Sequence, residues 1–170
     1  RQRDVGAHDV LLTSVGIQNA KGADMLANYT LTFEPGHITV STLNVSGGLT
    51  MSDVSSVYDA QSHGVTLGDT LTTAAGNFSI ANATKDDGTP RFTVSYESKK
   101  ANGDKLTETS FVNADVYTVT ATVTDTTGNM KIDPISATVT ISARPVTITA
   151  MNGSVAYDGA VHKLNETAID

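Results

Sequence analysis

The stretch that decides the fold is Val116-Tyr117-Thr118-Val119-Thr120-Ala121-Thr122-Val123-Thr124. Apolar side chains occupy every second position after Val116, and threonines fill the positions between them. Successive side chains of a strand point to opposite faces of a sheet, so this alternation predicts a strand with one buried face. Threonine suits the other face, because its β-branched hydroxyl side chain fits a pleated surface and still meets water.

Similar patterns lie on both sides of this stretch. Shorter alternating runs occur at 29–33, 92–96, 137–142 and 146–150, a less regular run covers 10–15, and Ile38–Val40 extends the first run beyond Pro35-Gly36. Turn sequences rich in Gly, Asn and Asp separate them, at 86–90, 102–104 and 127–129. The segment 68–82 fits either a short helix or an irregular edge strand. Many short strands without helical periodicity predict an all-β chain, built as immunoglobulin-like antiparallel β-sandwiches.

The chain also repeats itself. Tyr58-Asp59 precedes His63 as Tyr157-Asp158 precedes His162, at an offset of 99 residues (157 minus 58). The same offset, without gaps, aligns further identities: Pro35 with Pro134, Thr39-Val40 with Thr138-Val139, and Thr50 with Thr149. About 100 residues is the size of one small β-sandwich. We therefore predict a complete repeat at 44–143, the C-terminal part of one repeat at 1–43 and the N-terminal part of the next at 144–170.

The predicted junction between repeats is short. Ala143-Arg144-Pro145 joins one predicted strand directly to the next. Proline fixes its own φ and biases the residue before it toward an extended conformation. Such a link is stiffer than a Gly/Ser linker, so we expect repeats stacked end to end as a semi-rigid rod.

Composition excludes several functions. The formal net charge is −7, whereas nucleic-acid binding needs clustered cations, and anionic membrane surfaces also repel such a chain. The absence of cysteine excludes disulfides, thiolate metal sites and a cysteine nucleophile. No apolar run has the length of a membrane span, so we expect no membrane insertion by these residues. No signal peptide is visible, and we expect any export signal to lie outside residues 1–170.

Two segments resemble a known family. Residues 28–40, from Asn28-Tyr29 to Thr39-Val40, resemble the closing strands of MBG-type repeats. Residues 144–150, followed by Tyr157-Asp158-Gly159, resemble the opening of YDG-type repeats, although the first copy has Ala60 in place of that glycine. Both types form tandem arrays in large bacterial surface proteins and adhesins. The resemblance implies an extracellular location at the bacterial cell surface, and it supplies no catalytic or binding residues.

The residues of the motif suggest a structural role. We expect Tyr58 and Tyr157 to pack their rings at the edge of the core, with each hydroxyl reaching a backbone group. We expect Asp59 and Asp158 to cap the turn that follows each tyrosine. On this interpretation, Tyr58→Ala destabilises the complete repeat by roughly 3 kcal/mol.

Other candidate sites are weaker. Four loop aspartates are candidate ligands for Ca²⁺, which needs six to eight oxygen ligands: Asp86, Asp87, Asp104 and Asp125. Four scattered histidines have no metal-ligand spacing: His8, His37, His63 and His162. Four lysines are formal candidates for an isopeptide cross-link: Lys85, Lys105, Lys131 and Lys163. No nucleophile motif occurs. We predict no enzyme activity, no catalytic residue and no cofactor.

The favoured function is therefore a non-catalytic stalk or spacer in a bacterial adhesin, with neighbouring repeats of the same chain as its partners. A first alternative is a binding module for a host glycan or host protein; the absence of Trp, and aromatics expected to face the core, disfavour it. A second alternative is self-association, in which strands of the part-repeats pair with another copy as a fibre subunit.

Overall fold

The computed structural model describes residues 3–149 and 152–162 of the chain. Within them the chain is all-β, as predicted, and the one helical piece is a single 3-10 turn at Leu26–Asn28. The strands are β1 Gly6–Val10, β2 Gly36–Val40, β3 Leu43–Val45, β4 Val54–Val57, β5 His63–Gly64, β6 Thr70–Thr73, β7 Gly76–Ser79, β8 Phe92–Lys100, β9 Lys105–Leu106, β10 Ser110–Phe111, β11 Asp115–Asp125, β12 Met130–Ile132 and β13 Ile135–Ser142.

The largest sheet has five strands in the order β4-β13-β11-β8-β9. Its neighbours are antiparallel except for β4, which runs parallel to β13 with Val54 opposite Val139. The remaining strands of the central region form three smaller pairs: β5 with β10, β6 with β7, and β3 with β12 in parallel. The segment 68–82, ambiguous in the sequence, is thus largely the β6–β7 hairpin.

The core lies along the inner face of β11. Tyr117, Val119, Ala121 and Val123 are buried, and the threonines between them are half-buried or exposed, as the alternation predicts. Tyr117 and Val119 belong to one apolar cluster with Phe111, and Val123 belongs to a second with Phe92. The longest strand therefore connects both clusters.

Residues 1–43 contain a two-stranded sheet of β1 and β2, which differs from the predicted strand pattern. Residues 29–35 form no strand, and the run predicted at 10–15 is a strand only at Val10. Alternation gives a strand only when a neighbour offers backbone hydrogen bonds. Here β1 supplies that neighbour to β2, in a register that pairs Gly6 with Val40.

The β1–β2 pair resembles the β11–β13 pair of residues 43–142, which we call the central unit. β2 lies at the repeat offset from 135–139, the first part of β13, and each pairs with an antiparallel strand that precedes it. Asp9 and His37 face each other across β1 and β2, with His37 Nδ1 2.8 Å from Asp9 Oδ1. The equivalent of His37 in β13 is Ser136, and its hydroxyl lies 2.8 Å from that of Thr120 on β11. The same position thus carries a cross-strand polar pair in both copies.

The connection between β2 and the central unit is short. Only Ser41 and Thr42 separate β2 from β3. The side chain of Asn129, in the turn before β12, accepts a hydrogen bond from Val5 N at 2.8 Å and donates one to Asp4 Oδ1 at 2.9 Å. These contacts hold the start of β1 against the central unit.

The described residues of the C-terminal segment, 143–149 and 152–162, are exposed. Residues 143–149 form no strand, so the alternation there predicted one wrongly for these residues, and Ala150 lies outside the described residues. In the described ranges, no helix has the length and apolar character that crossing a membrane requires.

Candidate functional site

The turn after β4 is organised by Asp59. One carboxylate oxygen, Oδ1, accepts a hydrogen bond from Gln61 N at 2.8 Å and lies 2.9 Å from His63 Nε2. Ala60, between Asp59 and Gln61, has a φ of 63°, in the left-handed region that residues with a Cβ rarely occupy. Asp59 therefore caps the turn, as the motif predicts, and it also fixes the histidine that opens β5.

The second copy has the same geometry. Asp158 Oδ1 accepts a hydrogen bond from Ala160 N at 2.9 Å and lies 2.9 Å from His162 Nε2. Gly159 has a φ of 76°, so it takes the conformation of Ala60 in the first copy. The first copy thus has alanine where the second has glycine, and the two turns have the same shape.

Hydrogen bonding lowers the pKa of Asp59. The main cause is the contact with His63, and the backbone N–H of Gln61 adds to it, because both stabilise the ionised carboxylate. Ser56 Oγ lies 3.2 Å from the same histidine nitrogen, Nε2. A Ser-His-Asp relay uses opposite ring nitrogens for serine and aspartate, so these three side chains do not have that arrangement.

The tyrosines of the motif are less buried than predicted. The exposed fraction is 38% for Tyr58 and 98% for Tyr157, and neither hydroxyl has a hydrogen-bond partner among the described residues. The expected packing of both rings at the core edge is therefore wrong. What Tyr58 contributes is its backbone, since its N–H donates to Ser142 O at 2.9 Å and extends the β4–β13 pairing by one residue.

Tyr117 has the geometry that was expected of Tyr58. It is 3% exposed, its hydroxyl donates to Asn113 O at 3.0 Å, and its ring stacks on Phe111 with centroids 3.9 Å apart. The alternation predicts a buried face for Tyr117 but does not predict its hydroxyl contact or its stacking. The available signal was its position near the start of the longest alternating run.

The four candidate calcium ligands have separate protein partners. Asp86 lies 3.5 Å from the Arg3 guanidinium, Asp87 accepts hydrogen bonds from Thr89, and Asp104 accepts one from the Asn102 amide. The side chain of Asp125 is buried and pairs with Arg91. Within 3–149 and 152–162, no three acidic or histidine side chains are grouped so as to hold a metal ion.

Asp125 forms the one buried ion pair in the described residues. Its side chain is fully buried, and Arg91 donates to both carboxylate oxygens, from Nε at 3.3 Å and from Nη2 at 3.2 Å. Burial acts to raise the pKa of Asp125, but the hydrogen bonds from Arg91 and Thr127 outweigh it and hold the pKa below its usual range. The guanidinium also lies over the rings of Phe78 and Phe92, at 4.8 and 5.3 Å from their centroids.

The remaining candidates lie apart from this pair. His8 Nε2 is 2.8 Å from Asp4 O, and His37 pairs with Asp9, so the structure does not bring the four histidines together. Lys105 and Lys131 are exposed and Lys85 lies 3.9 Å from Asp87, which is unlike a buried cross-link. Lys163 lies outside the described residues.

Comparison with known proteins adds no relative. No protein-family model, curated protein or solved structure matches the chain.

Proposed function

We propose that the chain is part of a non-catalytic stalk or spacer of a bacterial surface adhesin. The stalk is built from immunoglobulin-like units that recur every 99 residues along the sequence. The observation that carries this proposal is the repeated aspartate turn. Two segments one offset apart share a left-handed residue, an Asp-capped turn and an Asp–His contact of 2.9 Å. A catalytic site has no need of a second copy at a fixed interval, whereas an array does.

Tyr117 supports the immunoglobulin-like assignment. In such sandwiches a tyrosine near the start of one strand commonly donates its hydroxyl to a backbone carbonyl a few residues upstream. Tyr117 lies near the start of β11 and donates to Asn113 O. β11 also lies between β8 and β13 in the main sheet, as the corresponding strand does in that fold.

The contacts of the N-terminal strands support a spacer with short links. Ser41 and Thr42 alone connect β2 to the central unit, and Asn129 bonds to Asp4 and Val5 across the same boundary. A two-residue link with lateral hydrogen bonds restricts rotation more than a flexible linker does. The Ala143-Arg144-Pro145 link does not add to this support, because the strand predicted to follow it is not formed at 146–149.

Small-angle X-ray scattering on concatemers tests the proposal. One, two and three copies of residues 43–145, in which every junction contains Ala143-Arg144-Pro145, should give a maximum dimension that increases by a constant increment with each copy. A matched set with Pro145→Gly and Arg144→Gly at every junction should give broader distance distributions. A compact particle whose maximum dimension does not follow copy number would refute the spacer.

A binding module is the second candidate, and one observation favours it. Contrary to the expectation that most aromatic side chains are covered by the core, five of the nine are exposed, namely Tyr29, Phe33, Tyr58, Tyr96 and Tyr157. Exposed aromatics are typical of ligand-binding surfaces. A glycan array probed with the whole chain separates the candidates, since saturable binding that is lost in Tyr96→Ala or Tyr58→Ala would favour the module.

A further inference from the structure

One strand of the main sheet has a long unpaired edge. β8 pairs with β11 along its entire length, from Phe92 to Lys100. On its other side β9 pairs only with Ser98 and Lys99. From Phe92 to Glu97, β8 therefore has no second strand neighbour among the residues that the structure describes.

The backbone groups on this edge can be assigned. Lys100 N donates to Asp104 O on the β9 side, and Arg91 O accepts from Thr126 N on the β11 side. In an antiparallel strand the N–H and C=O groups of alternate residues point to the same side. The N–H and C=O groups of Phe92, Val94 and Tyr96 therefore point away from β11, toward the unpaired side.

The side chains beside this edge are apolar. Val94 and Tyr96 share the inner face of β8 with buried Phe92, yet they are 37% and 44% exposed. With Leu67 and Ile80 they line an open groove of about 300 Å³. Edge strands are normally protected by lysine, proline or a bulge, but from 92 to 97 the only charged residue is Glu97.

We propose that this edge pairs with the same edge of a second copy of the chain, antiparallel, about a two-fold axis through Val94. Phe92 then lies opposite Tyr96 of the second copy, and Val94 lies opposite its own equivalent. Each of these three pairs exchanges two hydrogen bonds, because the groups of all three residues point outward. Thr93 and Ser95 lie opposite each other on the outer face, where hydroxyl pairs are favourable.

Register favours a second copy as the occupant. In this alignment all three hydrogen-bonded pairs are formed by uncharged residues, and Glu97 does not lie opposite its own equivalent. Aromatic Phe92 and Tyr96 also face each other at both ends, which is a favourable cross-strand combination. An axis through Ser95 or Tyr96 brings Ser98 into the pairing, where β9 already lies, and leaves fewer hydrogen-bonded pairs. The pairing would join the sheets of two neighbouring stalks side by side.

Cysteine cross-linking of the whole chain tests this register, since the chain has no cysteine of its own. Opposed Cα atoms of a hydrogen-bonded antiparallel pair are about 5.5 Å apart, within the range that a disulfide spans. Under mild oxidation Val94→Cys should form disulfide dimers at least tenfold faster than the matched control Tyr96→Cys, which faces Phe92 and not itself. Equal rates for the two variants would overturn the proposal.

Sedimentation velocity across a concentration series provides the second measurement. The unmodified chain should show a monomer–dimer equilibrium, and Val94→Lys, which places two ammonium groups opposite each other, should weaken it at least tenfold. A folded chain that stays monomeric up to millimolar concentration would overturn the proposal. Circular dichroism shows whether Val94→Lys is folded. If it is not, the dimerisation of the unmodified chain and the cross-linking rates of Val94→Cys and Tyr96→Cys still test the proposal.

Discussion

The turns at Asp59 and Asp158 make the same hydrogen bonds in different surroundings. Both aspartates hold a histidine four residues later at 2.9 Å, and both are followed by a left-handed residue. In the first turn Ser56 also contacts the histidine, and Tyr58 extends a strand pairing. In the second turn Tyr157 is almost fully exposed. The turn shape therefore arises from local sequence, whereas the packing around it depends on the rest of the unit.

The largest effect should come from the packed tyrosine outside the turn. Tyr117→Ala should destabilise the chain by about 4 kcal/mol, because it removes a buried ring that stacks on Phe111. The matched change Tyr58→Ala should cost less than about 1 kcal/mol, since that ring is partly exposed and has no hydroxyl partner. Chemical denaturation measures both changes, provided that the variants unfold with the same dependence of free energy on denaturant concentration. Equal losses of unfolding free energy would contradict the view that the Tyr58 ring is poorly packed.

The next effect concerns the aspartate that is buried. Asp125→Asn should cost about 3 kcal/mol at neutral pH, because it leaves Arg91 without its anionic partner. The pKa of Asp125 is lowered in the folded chain, so its contribution is present above the ordinary aspartate value of about 3.9. The contribution is lost as the pH falls from there through the lower folded pKa.

Stability measured between pH 7 and pH 2 should therefore fall less steeply for Asp125→Asn than for the unmodified chain. Asp104→Asn, a change in an exposed loop, is the control and should keep the original slope. If the unfolding free energy of Asp125→Asn falls with pH as steeply as that of the unmodified chain, the ion pair does not cause the loss of stability in acid.

A smaller effect tests the turn shape itself. Ala60→Gly should stabilise the chain by about 1 kcal/mol, because glycine takes the φ of 63° without the strain that a Cβ adds. Ala75→Gly is the matched control, since Ala75 is exposed and its φ is not positive, and it should be neutral or slightly destabilising. Thermal unfolding of the three proteins decides; a lower midpoint for Ala60→Gly would contradict the equivalence with Gly159.

The smallest effect is confined to one carboxylate. His63→Ala should raise the pKa of Asp59 toward its ordinary value, because the largest cause of its lowering is the hydrogen bond from His63. Carboxyl carbon chemical shifts followed by NMR through the acid range measure this change. The pKa of Asp69, which is lowered by Ser79 and by Ala81 N, serves as an internal reference and should not move.

The central strands could be predicted from the sequence because alternation and burial coincide there. β11 and β13 each pair with a strand on both sides, and their apolar faces are buried in the core. The alternation therefore matches the observed strands there. The terminal runs at 29–33 and 146–149 have equally regular patterns but form no strand. Alternation states which face a strand would bury, and it says nothing of whether a neighbouring strand is present.

The aspartate turn could also be predicted, because Asp, its capped N–H and the histidine lie within a few residues of one another. The Arg91–Asp125 pair could not, since 34 residues separate the partners and neither position has an unusual local sequence. The role of Tyr117 was missed for a related reason. Its hydroxyl partner is a main-chain carbonyl, and carbonyls carry no sequence signal.

The parallel pairing of early and late strands has a consequence for how the central unit would respond to tension. β3 lies parallel to β12 and β4 parallel to β13, so the chain enters and leaves the unit at opposite ends. A force that pulls those ends apart slides β4 along β13, and it loads all the hydrogen bonds between them at once. An antiparallel hairpin such as β6–β7, pulled from its open end, would lose its bonds one after another. The order of the strands thus makes the unit resist shear along its length.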